Sequence, residues 1–96
     1  MQMQIRFFID PETGLPHIEE HGVSEAEVVD VLRKPLEEIG GRGASVIAVG
    51  QTRSGRYLRV IYSPDDDGEG IFVITAYDLP AKQLRALRRR LKRKRQ

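Results

Sequence analysis

Cysteine and tryptophan are absent from this chain of 96 residues, and histidine occurs twice. Without cysteine there are no disulfides and no thiolate metal sites, a composition compatible with a reducing compartment. No run approaches the roughly 20 apolar residues that span a bilayer. The opening Met-Gln-Met-Gln-Ile-Arg also lacks the apolar stretch and small-residue cleavage site of a signal peptide. A soluble, cytoplasmic protein is therefore expected. Phosphate-binding and dinucleotide-binding glycine patterns are missing, and no cofactor is expected. The most informative absence is local: between Leu79 and Gln96 there is not one acidic residue.

That segment holds nine basic residues: Lys82, Arg85, Arg88, Arg89, Arg90, Lys92, Arg93, Lys94 and Arg95. The preceding 78 residues carry seven basic against fourteen acidic side chains, a net of −7, so the overall charge of +2 hides a split. An acidic body with one strongly basic arm points to an anionic partner, either nucleic acid or an acidic protein. Lysine and arginine are common at helix C-termini, where they favour the dipole. Seven basic residues among the last nine exceed what capping requires.

The length suits a single domain, 1–96, with a modest core. Alternation predicts a first strand over Gln4–Ile9, followed by the turn Asp10-Pro-Glu-Thr-Gly14. A short helical piece is expected from Leu15 to His21, stopped by Gly22. Ser24 and Glu27 have the spacing of a capping box, starting a helix that turns Val28, Val31 and Leu32 inward and ends before Pro35. Three strands follow a glycine-rich loop: Ser45–Thr52, Arg56–Ser63 and Ile71–Tyr77. The polar run Asp65-Asp-Asp-Gly-Glu-Gly70 lacks calcium-loop spacing and reads as a solvated turn. Asp78 is placed to cap a last helix with a stripe of Leu84, Leu87 and Leu91, whose basic end, 88–96, is expected to fray without a partner. The order β-α-α-β-β-β-α describes a small α+β domain on an antiparallel four-stranded sheet.

A two-residue Ser54-Gly55 hairpin loop would set Gly50 opposite Arg59, Val49 opposite Val60 and Thr52 opposite Tyr57. Ile47, Val49, Leu58, Val60 and Tyr62 would then share the face covered by the first helices. Ala48, Gly50, Thr52, Tyr57, Arg59 and Ile61 would share the other, with Arg59 lying across the space over Gly50. Arg6, Thr75 and Tyr77 are candidates for that second face. Arginine suits phosphate geometry, and tyrosine offers a stacking plane and a hydroxyl. The candidate nucleic-acid contacts are thus Arg6, Tyr57, Lys82, Arg85, Arg88, Arg89, Lys92 and Arg93.

His17-Ile-Glu-Glu-His21 fits the inverted zinc-protease pattern, in which two histidines four apart on a helix hold zinc. Gly22 interrupts the helix at once, and a third ligand would have to come from a distant carboxylate. No metal site is expected on these grounds.

The stretch His21-Gly-Val-Ser24, the helix ending at Lys34-Pro35, the segment Gly50-Gln-Thr-Arg-Ser-Gly-Arg-Tyr-Leu-Arg-Val-Ile-Tyr62 and the strand Ile71-Phe-Val-Ile-Thr-Ala-Tyr77 resemble the BrnT-like toxins and related small proteins. The resemblance rests on order and spacing over residues 17–90. It implies a RelE-like fold, metal-independent action on RNA as part of a type II toxin–antitoxin module, and a cognate antitoxin as partner. In such proteins an arginine commonly follows the Ile-Ser/Thr-Ala run, where this chain has Tyr77, and the hairpin arginine has its counterpart in Arg56. The resemblance carries over Arg56 alone. Joined with the sheet-face reading, the expected catalytic residues are Arg56 and Arg59, clamping phosphate, and Tyr77, stacking on a base or transferring a proton in place of the family's arginine. Three readings stand at this point: an RNA-cleaving toxin, a non-catalytic nucleic-acid- or ribosome-binding protein of the same fold, and a protein whose basic helix docks on an acidic partner.

Overall fold

The computed structural model describes residues 4–94. Eight elements follow one another: β1 (Gln4–Phe7), a 3-10 helix (His17–His21), α1 (Glu25–Arg33), β2 (Glu37–Gly40), β3 (Val46–Gln51), β4 (Tyr57–Pro64), β5 (Gly70–Asp78) and α2 (Ala81–Lys94). The architecture is α+β, but the sheet has five strands in the order β1-β5-β4-β3-β2 and is mixed. β1 lies parallel to β5, with Ile5 beside Ile71 and Phe7 beside Val73; the other pairings are antiparallel. Two differences from the four-stranded antiparallel expectation have clear causes. Alternation marks a strand without marking its partner's direction. The short edge strand β2 reads Glu-Glu-Ile-Gly, with no apolar alternation to announce it.

Local signals settle the first half of the chain. The Ser24 hydroxyl accepts from the Glu27 N–H (3.2 Å) and the Glu27 carboxylate accepts from the Ser24 N–H (3.0 Å), a complete capping box. α1 ends at Arg33, one residue short of the position that Pro35 restricts. Its inner side presents Val28 and Val31, both fully buried, to β3 and β4. They join Ile18, Val23, Ala48, Leu58, Val60, Ile71, Val73 and Ala76 in one apolar cluster, flanked by Ile5, Phe7, Leu32 and Tyr62.

The β3–β4 register differs by one residue from the sequence expectation. Gly50 faces Leu58, Val49 faces Arg59 and Gln51 faces Tyr57. The hairpin closes between Thr52 and Arg56, whose backbones bond at 2.8 Å, leaving a three-residue loop. Gly55 takes a φ of +97°, the left-handed position that a three-residue loop requires. One residue of slip exchanges the faces of a whole strand. Ala48 and Gly50 therefore lie under α1, whereas Ile47 and Val49 lie on the opposite face. Gly50 makes room for the helix and not for Arg59: a Cβ there would sit 3.0 Å from Val31 Cγ1 and 3.5 Å from its Cα.

β5 contains an irregularity of its own. Ile61 pairs with Thr75 but Tyr62 pairs with Val73, so Ile74 is an extra residue and is exposed. Across this bulge the buried positions change parity, from Ile71 and Val73 to Ala76. Asp78 ends β5 and does not cap α2; its carboxylate is held by Arg56. α2 starts at Ala81, buries Leu87 completely and half-buries Leu84 and Leu91. It lies on the sheet face opposite α1, so the sheet is sandwiched between two unlike layers. The basic end, 88–96, for which fraying is expected, is helical as far as Lys94, and 95–96 lie outside the described residues, so the expectation of fraying stands.

Candidate nucleic-acid interface

The register builds a row of side chains across four strands. Glu37 pairs with Val49, Val49 with Arg59, and Arg59 with Tyr77. Directly opposed residues on one face have Cβ atoms about 4.5–5.5 Å apart, so Arg59 and Tyr77 are immediate neighbours. Both are half-buried, and Arg59 has no carboxylate partner among the described residues. On the same face the Thr75 Oγ1 is buried with no hydrogen-bond partner.

α2 crosses this end of the sheet and is fixed at two points. The Arg88 guanidinium lies 5.6 Å from the centre of the Tyr57 ring, a cation–π distance. Arg90 forms a two-pronged ion pair with Glu37, its Nε 2.6 Å and Nη2 2.8 Å from the two carboxylate oxygens. This hydrogen bonding, with the positive charge behind it, holds the Glu37 carboxyl below its ordinary range. The pairing of Arg90 therefore anchors the helix to the edge strand.

Of the eight basic residues in α2, Arg90 alone forms an ion pair among the described residues. Lys82, Arg85, Arg89, Lys92 and Arg93 recur at intervals of three or four, or adjoin one another, and so line one exposed side of the helix. The leucine stripe occupies the other. Arg85, Arg88 and Arg89 surround an open depression of ≈ 340 Å³.

The other sequence candidates fall elsewhere. Arg6 lies level with Phe72, towards the far end of the sheet from the Arg59–Tyr77 pair. It is ion-paired with Asp65 and stacked over the Phe72 ring at 5.6 Å. Arg56 has a structural task. Its Nε and Nη2 donate to the two Asp78 oxygens (2.6 and 3.2 Å). Its Nη1 donates to the Gly22 carbonyl (2.8 Å) and to Glu27 (3.1 Å), and Nη2 reaches the His21 carbonyl (3.4 Å). One side chain thus ties the end of the 3-10 helix and the capping box of α1 to the end of β5. Hydrogen bonding to Arg56 depresses the Asp78 carboxyl, and hydrogen bonding to Asp78, then Glu27, raises Arg56. With its donors engaged this way, Arg56 does not join Arg59 and Tyr77.

The structure adds His21, whose ring meets Tyr77 edge-on at 5.9 Å. Fifty-six positions separate the two in the chain, and nothing local in the sequence signals their meeting.

Residues 15–78 match a domain of unknown function, DUF4258. The chain belongs to this family. No curated protein and no solved structure matches it. The DUF4258 segment spans the 3-10 helix, α1 and β2 to β5, and both ends of the Arg56–Asp78 clamp fall inside it. The basic helix α2 begins beyond it. No helix of the described residues is long and apolar enough to cross a membrane.

Proposed function

We propose that the protein binds RNA through α2, as the BrnT-like toxins it resembles are expected to do. One observation carries this reading: seven cations without ion-pair partners among the described residues lie along a helix whose apolar side is held on the sheet. Such a helix neutralises successive phosphates and releases their counterions, so affinity falls steeply with salt. Tyr57 and Tyr77 offer aromatic faces beside the helix, suited to bases unstacked from a single strand. An acidic protein is the competing partner, and direct titration separates the two. The full chain is mixed with a labelled single-stranded RNA, and fluorescence anisotropy is followed while unlabelled RNA or polyglutamate is added. Displacement by RNA at far lower concentration supports the proposal. Equal displacement by polyglutamate, or no RNA binding near physiological salt, refutes it.

A second reading is favoured by the Arg59–Tyr77 pair. As the toxin of a type II toxin–antitoxin module, the protein would cleave RNA, with Arg59 stabilising phosphate charge and Tyr77 stacking or transferring a proton. An antitoxin would then oppose RNA access by occupying the basic face. Induced expression should arrest growth and fragment RNA, and Arg59→Ala or Tyr77→Phe should abolish both effects. Intact RNA and normal growth at full expression would leave the binding reading alone.

A further inference from the structure

Away from α2, three donor atoms converge where the 3-10 helix begins. His17 Nδ1 lies 3.4 Å from Asp10 Oδ2 and 3.4 Å from Glu20 Oε2, and all three atoms are within 4.8 Å of one another. At 3.4 Å these are poor hydrogen bonds, because N–H···O distances cluster near 2.9–3.0 Å. They match the edge of a metal coordination tetrahedron. Bonds of about 2.0–2.1 Å at tetrahedral angles separate ligand atoms by about 3.4 Å.

The backbone explains why these residues meet. With three residues per turn, a 3-10 helix eclipses positions three apart, which brings Glu20 over His17. His21, which an α-helix would align with His17, is offset, its ring edge-on to that of His17 at 5.3 Å. Asp10 comes from the turn after β1. The Gly14 N–H donates to the Asp10 carbonyl (2.8 Å), the Asp10 N–H to Leu15 (2.9 Å) and the His17 N–H to Phe8 (2.9 Å). The distant carboxylate that the sequence did not supply is therefore seven residues away and folded back onto His17.

The second layer orients the ligands. Asp10 Oδ1 accepts the Glu12 N–H at 2.9 Å, which turns Oδ2 towards the cluster. The side chains are 14%, 29% and 43% exposed for Asp10, His17 and Glu20, leaving one side open to solvent. No lysine or arginine among the described residues pairs with either carboxylate. Asp10 is held below its ordinary range, chiefly by the Glu12 N–H, while Glu20 is raised, chiefly by its hydrogen bond with Asp10.

We propose that Asp10, His17 and Glu20 bind a zinc ion, with a water molecule as fourth ligand. One imidazole and two carboxylates form a borderline-to-hard set that suits zinc. The site joins the turn after β1 to the 3-10 helix, and it does not depend on the RNA-binding reading.

The test uses the untagged full chain, stripped with a chelator and titrated with zinc chloride against a chromogenic zinc indicator. One equivalent should bind, and zinc should raise the unfolding temperature by linkage. Asp10→Asn, His17→Gln and Glu20→Gln should each weaken binding about 10-fold or more, the scale set by perturbing even outer-shell metal partners. His21→Gln should leave affinity within about 3-fold, on the same scale. Cobalt(II) substituted for zinc should give the intense visible bands of a tetrahedral site, lost in His17→Gln even if that variant is as stable as the metal-free parent. Substoichiometric binding, binding unchanged in all three variants, or equal losses for His21→Gln and His17→Gln would overturn the proposal.

Discussion

The two layers that sandwich the sheet are held by different forces. Beneath α1, ten buried apolar residues form a continuous core, and the boundary is closed by the capping box and the Arg56 clamp. Beneath α2, Leu87 is the helix's one fully buried residue, and the remaining anchors are a cation–π pair and the Arg90–Glu37 bridge. The first layer uses its charges internally: Arg56 meets Asp78 and Glu27, and Arg53 meets Asp30. The second leaves seven cations without ion pairs among the described residues. Charge that is satisfied within the fold contributes to stability, whereas charge left open at a surface is available to a partner. The α1 side therefore maintains the domain, and in the proposed function the α2 side is the one that meets an anion.

The most severe way to break this division is in the core. Leu58→Ala, at a fully buried position, should cost about 2–5 kcal/mol in chemical denaturation. RNA affinity measured at a temperature where the variant remains folded should be unchanged. The converse is Arg85→Gln, Arg89→Gln, Lys92→Gln and Arg93→Gln together. This variant should lose about 100-fold in RNA affinity at moderate salt, yet stay within about 0.5 kcal/mol of the parent in stability. A parallel loss of stability and affinity in either variant would dissolve the distinction between the layers.

Arg56→Met sharpens the comparison, because it removes an arginine that the α1 layer uses. A stability loss of about 2 kcal/mol is expected, since charge-assisted hydrogen bonds are removed, with RNA affinity unaltered. The pH dependence follows from the depressed Asp78 carboxyl. A carboxyl whose folded pKa is lowered stabilises the protein above its unfolded value and loses that effect as pH falls through the folded one. The gap between parent and Arg56→Met should thus be full at neutral pH and shrink below about pH 4. Gly50→Ala has the smallest expected effect, about 1–2 kcal/mol, because the added methyl presses on Val31. Had Gly50 faced Arg59, that substitution would have altered the proposed RNA-binding face and spared the core.

What the sequence disclosed was what adjacent residues decide. Ser24 and Glu27 make their capping box within one turn, Pro35 limits α1 locally, and the alternation of Leu58 and Val60 marks the inner side of β4. The hairpin failed at a single residue: Ser54-Gly55 suits a two-residue loop, but Arg53 joins it, Gly55 becomes the left-handed third position, and all of β3 turns over. β2 was hidden because its hydrogen bonds to β3, and not a pattern of apolar residues, make it a strand. Within the site, the basic side of α2 was legible from composition. The role of Arg56 was not, because its partners Gly22, Glu27 and Asp78 are 22 to 34 positions away. Arg59 and Tyr77 reached the same face despite the register error, since the β4–β5 pairing sets their proximity independently of β3.

The central claim is that α2 binds nucleic-acid phosphate while the α1 layer holds the fold. Its most direct test is the salt dependence of RNA binding for the parent and the four-substitution α2 variant. The logarithm of the binding constant should fall linearly with the logarithm of salt concentration. The variant's slope should be shallower by about 3, near 0.7 for each single-strand phosphate that it no longer neutralises. Equal slopes, or a parent whose affinity is insensitive to salt, would contradict it.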